Sequence, residues 1–221
     1  MSVLHQFQGQ VLALYARIIQ RTAKLTIEGW EHVTQVIASG RPIVFTSWHG
    51  QTHLLYPVVF EKQLDISRFI LVSVADHRQE VLETFATSIG AIPVSISMED
   101  DSFAGARNLI GLINELRKGS YTFITPDGPD GPPRVPKGGI TYIAIRARAQ
   151  IIPFAAYTPH AYRLRRWDRY FLPLPFAHIY ISVRPPIPVS RDADHEMLLE
   201  KVTREINAAN EQVEAMAKRR K

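Results

Sequence analysis

The tightest constraint on how this chain can fold is an alternation of two periods: short apolar runs of strand length recur between longer stretches whose apolar residues return at helical spacing. Strand runs, several rich in Val, Ile and Phe, occupy 42–47, 68–74, 91–96, 121–125, 151–157 and 178–183. Between them the spacing predicts helices over 49–61, 79–89, 103–117, 139–149 and 193–217, with Gly90 and Gly119 placed to cap two of them. Strands alternating with helices imply an α/β domain, a mixed and mainly parallel sheet flanked by helices. At 221 residues and 46% hydrophobic content the chain can fill one such core. No repeat or linker divides it, so the proline-rich stretches 126–136 and 173–188 read as loops or edge elements. The expected division is an N-terminal amphipathic helix and lead-in over 1–30, then the α/β domain over 31–221.

Over 3–24, Leu4, Phe7, Val11, Leu14, Tyr15, Ile18 and Ile19 recur at helical spacing, with Arg17, Arg21 and Lys24 at the end. Such a helix either lies on an anionic bilayer or packs its apolar face on the domain, and spacing serves both readings. No window reaches the roughly 18 apolar residues of a spanning helix. Nor does the start show the basic-then-apolar pattern of a secretory signal. Lys and Arg number 26 against 21 Asp and Glu, a formal +5, which favours anionic partners: phospholipid headgroups, acidic carrier proteins or nucleic acid. The cluster Arg163-Leu164-Arg165-Arg166 has no nucleic-acid motif around it, so no nucleic-acid partner is expected; it reads as a solvated face or one turned to headgroups. The absence of Cys removes disulfides, thiolate metal ligands and a cysteine nucleophile, and fits a reducing cytosol.

Two motifs follow strand-like runs. The first is Thr46-Ser47-Trp48-His49-Gly50, which puts His49 at a strand end, where ligand sites of open α/β sheets gather and where an imidazole can act as a base near neutral pH. The second is Thr125-Pro126-Asp127-Gly128-Pro129-Asp130-Gly131-Pro132-Pro133-Arg134, a stiff loop with Asp127 at its strand tip. Arg134, Lys137 and then Gly138-Gly139, opening a helix, could receive a phosphate.

With these residues in place the chain resembles the lysophospholipid acyltransferase superfamily, and especially a bacterial branch catalogued as a domain of unknown function. In that branch a Trp-His pair follows the first strand, as Trp48-His49 does, and an Asp-Gly-Pro-x-Gly-Pro loop follows a later one, as 127–132 does. A Trp-Asp-x-aromatic segment runs into Pro-x-Pro-Phe before the last strand, as in Trp167-Asp168-Arg169-Tyr170 and Pro173-Leu174-Pro175-Phe176. Ile152-Pro153 resembles the fourth block of the superfamily. The resemblance covers nearly the whole chain and implies a glycerol-3-phosphate acyltransferase-like fold.

It further implies transfer of a fatty acyl chain from a thioester of acyl carrier protein or coenzyme A to a hydroxyl of a lysophospholipid-like or other amphipathic acceptor, within phospholipid biosynthesis. No bound cofactor or metal is expected. His49 would take the hydroxyl proton while amides or cationic groups hold the oxyanion. Asp127, matching the acidic position of the family's third block, would help to hold the acceptor. Trp48, Gly128, Pro129 and Gly138 would line the substrate, and Arg134 and Lys137 would meet its anionic group. The expected location is cytoplasmic, peripherally attached to the inner face of the cytoplasmic membrane.

Two positions depart from the pattern. Most members carry an Asp five residues after the His, where this chain has Leu54; Asp76, Glu80 or Asp127 are the candidate replacements. After Gly90 the superfamily's Arg is missing, with Arg107 a candidate substitute. The lost Asp motivates one alternative, a catalytically inactive lipid-binding scaffold of the same fold. The pair His49 and His53, four apart, motivates another, a metal-dependent hydrolase, although Gly50 stands where the helical zinc-protease motif has Glu.

Overall fold

The structure, a computed structural model, describes residues 2–96 and 103–219, the side chains of Phe103 and Ala104 excepted; of the expected divisions, Met1, 97–102, Arg220 and Lys221 lie outside the described residues. In chain order the elements are α1 (Val3–Thr22), β1 (Lys24–Glu28), α2 (Glu31–Ala38), β2 (Ile43–Thr46), α3 (Thr52–Glu61), β3 (Phe69–Val74), α4 (Gln79–Ile89) and β4 (Ile92–Ile96). There follow α5 (Phe103–Arg117), β5 (Tyr121–Ile124), α6 (Gly139–Ala147), β6 (Gln150–Tyr157), β7 (Ala161–Arg163), β8 (Phe171–Pro173), β9 (His178–Val183) and α7 (His195–Lys218). One sheet runs in the order β1-β9-β6-β2-β5-β3-β4, and β7 pairs with β8 apart from it. Every neighbouring pair in the large sheet is parallel except β6 with β9, so the expected mixed, mainly parallel sheet forms.

Strand β2 shows why the layers stack as they do. Its alternation sends Ile43 and Phe45 into a cluster with residues of α1, α2 and α3, and Val44 into a second cluster with α5, α6 and α7. Burial on both faces favours a continuous apolar run, and each fully buried Ile contributes about 1.5–3 kcal/mol. Helix boundaries follow local chemistry. Asp194 accepts from the Met197 amide at 2.8 Å, which starts α7 at His195 rather than Ala193. Arg148 takes a left-handed φ of 55°, which ends α6 at Ala147. Gly90 caps α4 with φ 88° as expected.

Helical spacing predicts a first helix running to Lys24 and no further element between it and the strand run at 42. Lys24 instead opens β1, an edge strand whose first amide bonds to Ala177 O at 3.0 Å, and α2 follows it. Helix α1 also packs by an unexpected face. Its small residues Gly9, Ala13 and Ala16, with Ile19, are buried, while Val3, Leu4, Phe7, Val11, Leu14 and Ile18 are exposed, Phe7 to 62%. A Cβ on Gly9 would stand 2.6 Å from Thr84 Cβ and 2.8 Å from Val81 O, so α1 and α4 touch nearly backbone to backbone. Glu80 holds the start of the helix through the Ser2 amide and His5 Nδ1, each at 2.8 Å, and Arg17 donates to Ser88 O.

A bulky residue at position 9 must therefore push α1 outward. Gly9→Leu is expected to lower unfolding stability by about 1–3 kcal/mol in urea titration. A midpoint equal to the parent's would show that α1 is not seated on α4.

Candidate active site

The register of two central strands brings the motifs together. In the parallel pair of β2 and β5, Thr46 stands opposite Ile124, and three residues beyond each lie His49 and Asp127. The Asp127 carboxylate is buried at this edge and accepts from the His49 amide through Oδ1 at 2.9 Å and from the Arg134 amide through Oδ2 at 3.0 Å. Both oxygens thus bind backbone, satisfying a buried charge. Expected beside the acceptor, Asp127 gives both oxygens to backbone amides and so ties the histidine turn to the Gly/Pro loop.

The imidazole finds its carboxylate elsewhere. His49 Nδ1 lies 2.7 Å from Asp168 Oδ2; the His49 side chain is 22% exposed and that of Asp168 only 1%. Because a carboxylate accepts, Nδ1 is assigned the proton, and Nε2, which bonds to no described residue, presents its lone pair. Asp168 comes from the connection between β7 and β8. Its other oxygen makes no hydrogen bond among the described residues, with Arg166 Nε 3.6 Å away at ion-pair distance. Two glycines make room for this segment. A Cβ on Gly50 would stand 2.5 Å from Asp168 O, and one on Gly131, whose φ is 73°, would stand 2.6 Å from Trp167 Cε3.

The other candidate partners are occupied. Asp76 is gripped by Arg78, whose Nε lies 2.9 Å from Oδ2, and that contact holds the Asp76 carboxyl below its usual range. Glu80 serves the start of α1, and Leu54 is fully buried. Sequence reasoning gave Arg78 no role, yet its Nη1 also reaches Asp130 Oδ1 at 3.0 Å and staples the turn after β3 to the Gly/Pro loop.

The remaining expected site residues divide. Gly128 lies against the imidazole, where a Cβ would sit 2.8 Å from His49 Cδ2, and Pro129 follows it half-buried. The Arg134 side chain and Gly138 are exposed, and Lys137 Nζ donates to Gly128 O at 3.2 Å. Trp48 is not at the surface of the site. It is 3% exposed in the core, and its indole N–H donates to Asn207 Oδ1 at 3.0 Å, because alternation at the strand end turns it to the α7 side when His49 turns outward. Arg107 is on the exposed side of α5.

His53 is no free ligand for a metal. Its Nδ1 bonds to the Tyr170 hydroxyl, and its Nε2 is sealed from solvent without a partner. Among the described residues no group of three His, Asp or Glu gathers as a metal site would. Desolvation, with the nearby His49 adding to it, lowers the His53 pKa to about 4, while burial raises that of Tyr170.

The unfolded His53 ring takes up its proton near pH 6.5 and the folded one only near 4. In that window the unfolded state binds more protons, so stability is complete above it and falls on acidification, by up to about 3 kcal/mol. His53→Leu should flatten the dependence of the urea midpoint between pH 6.5 and 4. A slope equal to the parent's would show that the ring is not held neutral.

No family model matches the chain. An uncharacterized protein of Rickettsia prowazekii is 30% identical over 151 residues, 68% of this chain and 66% of that protein, so the match spans just under two thirds of the relative's length. Among solved structures the chain is similar to the 1-acyl-sn-glycerophosphate (LPA) acyltransferase PlsC from Thermotoga maritima, with a TM-score of 0.55 at 14% identity over 94% of this chain and 78% of that one. At that identity the likeness is one of fold.

Proposed function

We propose that the chain is an O-acyltransferase, moving a fatty acyl group from a thioester of acyl carrier protein or coenzyme A to a hydroxyl of a lysophospholipid-like or other amphipathic acceptor. The observation that carries this reading is a partly exposed imidazole oriented by a buried carboxylate at the carboxyl edge of a sheet with an acyltransferase's fold. His49 Nε2 takes the acceptor's hydroxyl proton as the oxygen attacks the thioester carbonyl, and Asp168 stabilises the imidazolium. Collapse of the tetrahedral intermediate breaks the carbon–sulfur bond, and the departing thiolate receives that proton from His49. The sequence needs no metal. Gly128 and Pro129 form the wall beside the ring, and Arg134, Lys137 and Gly138 are the reading's contacts for an anionic group of the substrate. Asp168 weighs against an inactive scaffold, since it gives the imidazole a carboxylate partner that Leu54 cannot.

The reading is tested by offering both thioester classes with a panel of lysolipids and other amphipathic alcohols and identifying products by mass spectrometry. Asp168→Asn should lower kcat by about 10⁴ with KM little changed, and His49→Ala should lower it at least as far, to a small residual rate. Transfer by His49→Ala at the parent's rate would overturn it.

An amphipathic acceptor would reside in a membrane, and the reading includes peripheral attachment to the inner face of the cytoplasmic membrane. No described helix is long and apolar enough to cross a bilayer. The exposed stripe of α1 supports surface attachment, since residues 2–27 contain no acidic residue and Arg17, Arg21 and Lys24 follow the stripe. Beside it, Tyr15 OH donates to Pro173 O, next to exposed Leu174 and Phe176, the latter 80% exposed. Anionic headgroups complement such a surface, whereas a second copy of the helix would oppose like charges. Co-sedimentation with vesicles should rise with anionic lipid and fall with salt, and exchanging Phe7, Val11 and Leu14 for Gln should weaken it at least ~10-fold. Binding indifferent to all three changes would end this part of the proposal.

A further inference from the structure

Asp168 is held by a connection running from Leu164 to Tyr170, outside the large sheet, and a connection of that kind does not by itself fix a carboxylate to within a fraction of an ångström. Backbone bonds shape it: Leu164 N to Tyr170 O at 3.0 Å and Arg169 N to Arg166 O at 3.2 Å. What ties it to the catalytic turn is side-chain contact. His53 lies four residues beyond His49, where consecutive turns of a helix present side chains to the same neighbour. Asp168 and Tyr170 flank Arg169, whose left-handed φ of 46° turns the chain between them. The two pairs meet one for one: His49 with Asp168, and His53 Nδ1 with the Tyr170 hydroxyl. The buried Tyr170 ring fills the space between the imidazoles, its centroid 5.7 Å from that of His49 and 5.4 Å from that of His53.

The pair is poor as a stabilising device. Among the described residues His53 Nε2 is sealed from water with no partner, and a buried unsatisfied nitrogen destabilises the fold. Tyr15 and Phe85 pack around the same ring, with centroids 5.7 and 6.2 Å from it, an environment that suits a hydrocarbon side chain better than an imidazole. Replacing both polar partners by apolar groups of like shape is close to neutral for stability. The contact thus carries a stability cost.

We infer that His53 and Tyr170 are a positioning pair, whose hydrogen bond sets the Asp168 carboxylate in register with the His49 imidazole. Neither touches the reacting atoms; they act through Asp168. The inference rests on the His49–Asp168 contact that the acyl-transfer reading uses, but its test does not depend on turnover.

The readout is the exchange rate with solvent of the His49 Nδ1 proton, followed by nitrogen-15-edited NMR in the full chain, with Asp168→Asn as reference. The parent should show a protected ring N–H that Asp168→Asn abolishes. Tyr170→Phe and His53→Leu should each speed its exchange at least tenfold, and the double variant should do so while keeping a thermal midpoint within a few degrees of the parent's. His53→Asn, whose amide can stand where Nδ1 stood, should restore most of the protection. In a transfer assay the same variants should lose kcat about tenfold with KM within a factor of two. Exchange in Tyr170→Phe and His53→Leu as slow as in the parent overturns the inference while leaving the dyad intact. A parent whose ring proton is unprotected, or unaffected by Asp168→Asn, overturns the dyad and this inference with it.

Discussion

Between His49 Nδ1 and Asp168 Oδ2 there are 2.7 Å of space and 119 positions of sequence, and the packing at the sheet's carboxyl edge is arranged around closing that gap. A carboxylate taken out of water must have its charge met, here by the imidazole and by Arg166 at longer range. Bringing it in requires two places where backbone or indole comes too near for any Cβ, at Gly50 and Gly131. Asp127 completes the frame from the other side, fixing the histidine's own backbone and the loop over it through two amides. One carboxylate holds the main chain of the histidine and the other its ring, a division of labour that leaves Nε2 facing outward.

The sheet and most helices are legible in the sequence because burial on two faces writes long apolar runs, as in β6 and β9, and because Gly90 marks its helix end by a left-handed turn. The missed elements lack those marks. Strand β1 is a half-buried edge strand with charged ends, and α2 is only eight residues long. Helix α1 was legible as a helix but not in its orientation, since a stripe of large apolar residues looks alike whether it meets protein or faces outward. Its small residues decided the matter by allowing a closer approach to α4.

The site divides in the same way. His49 and Asp127 are marked by their places after strands, and parallel register carries them together. Asp168 stands in a conspicuous Trp-Asp-x-aromatic segment, yet no local period says that this segment folds back to the tip of the second strand. The contact is set by tertiary packing alone. Trp48 illustrates the reverse error: adjacent to His49 in sequence, it points to the opposite face, where Asn207 receives its N–H.

The central claim is that His49 and Asp168 act as one catalytic unit, and a double-mutant cycle on acyl transfer tests it most directly. If they are one unit, Asp168→Asn costs much in the parent and almost nothing further in His49→Ala, so that the two losses fail to add. Losses that multiply independently would contradict the account.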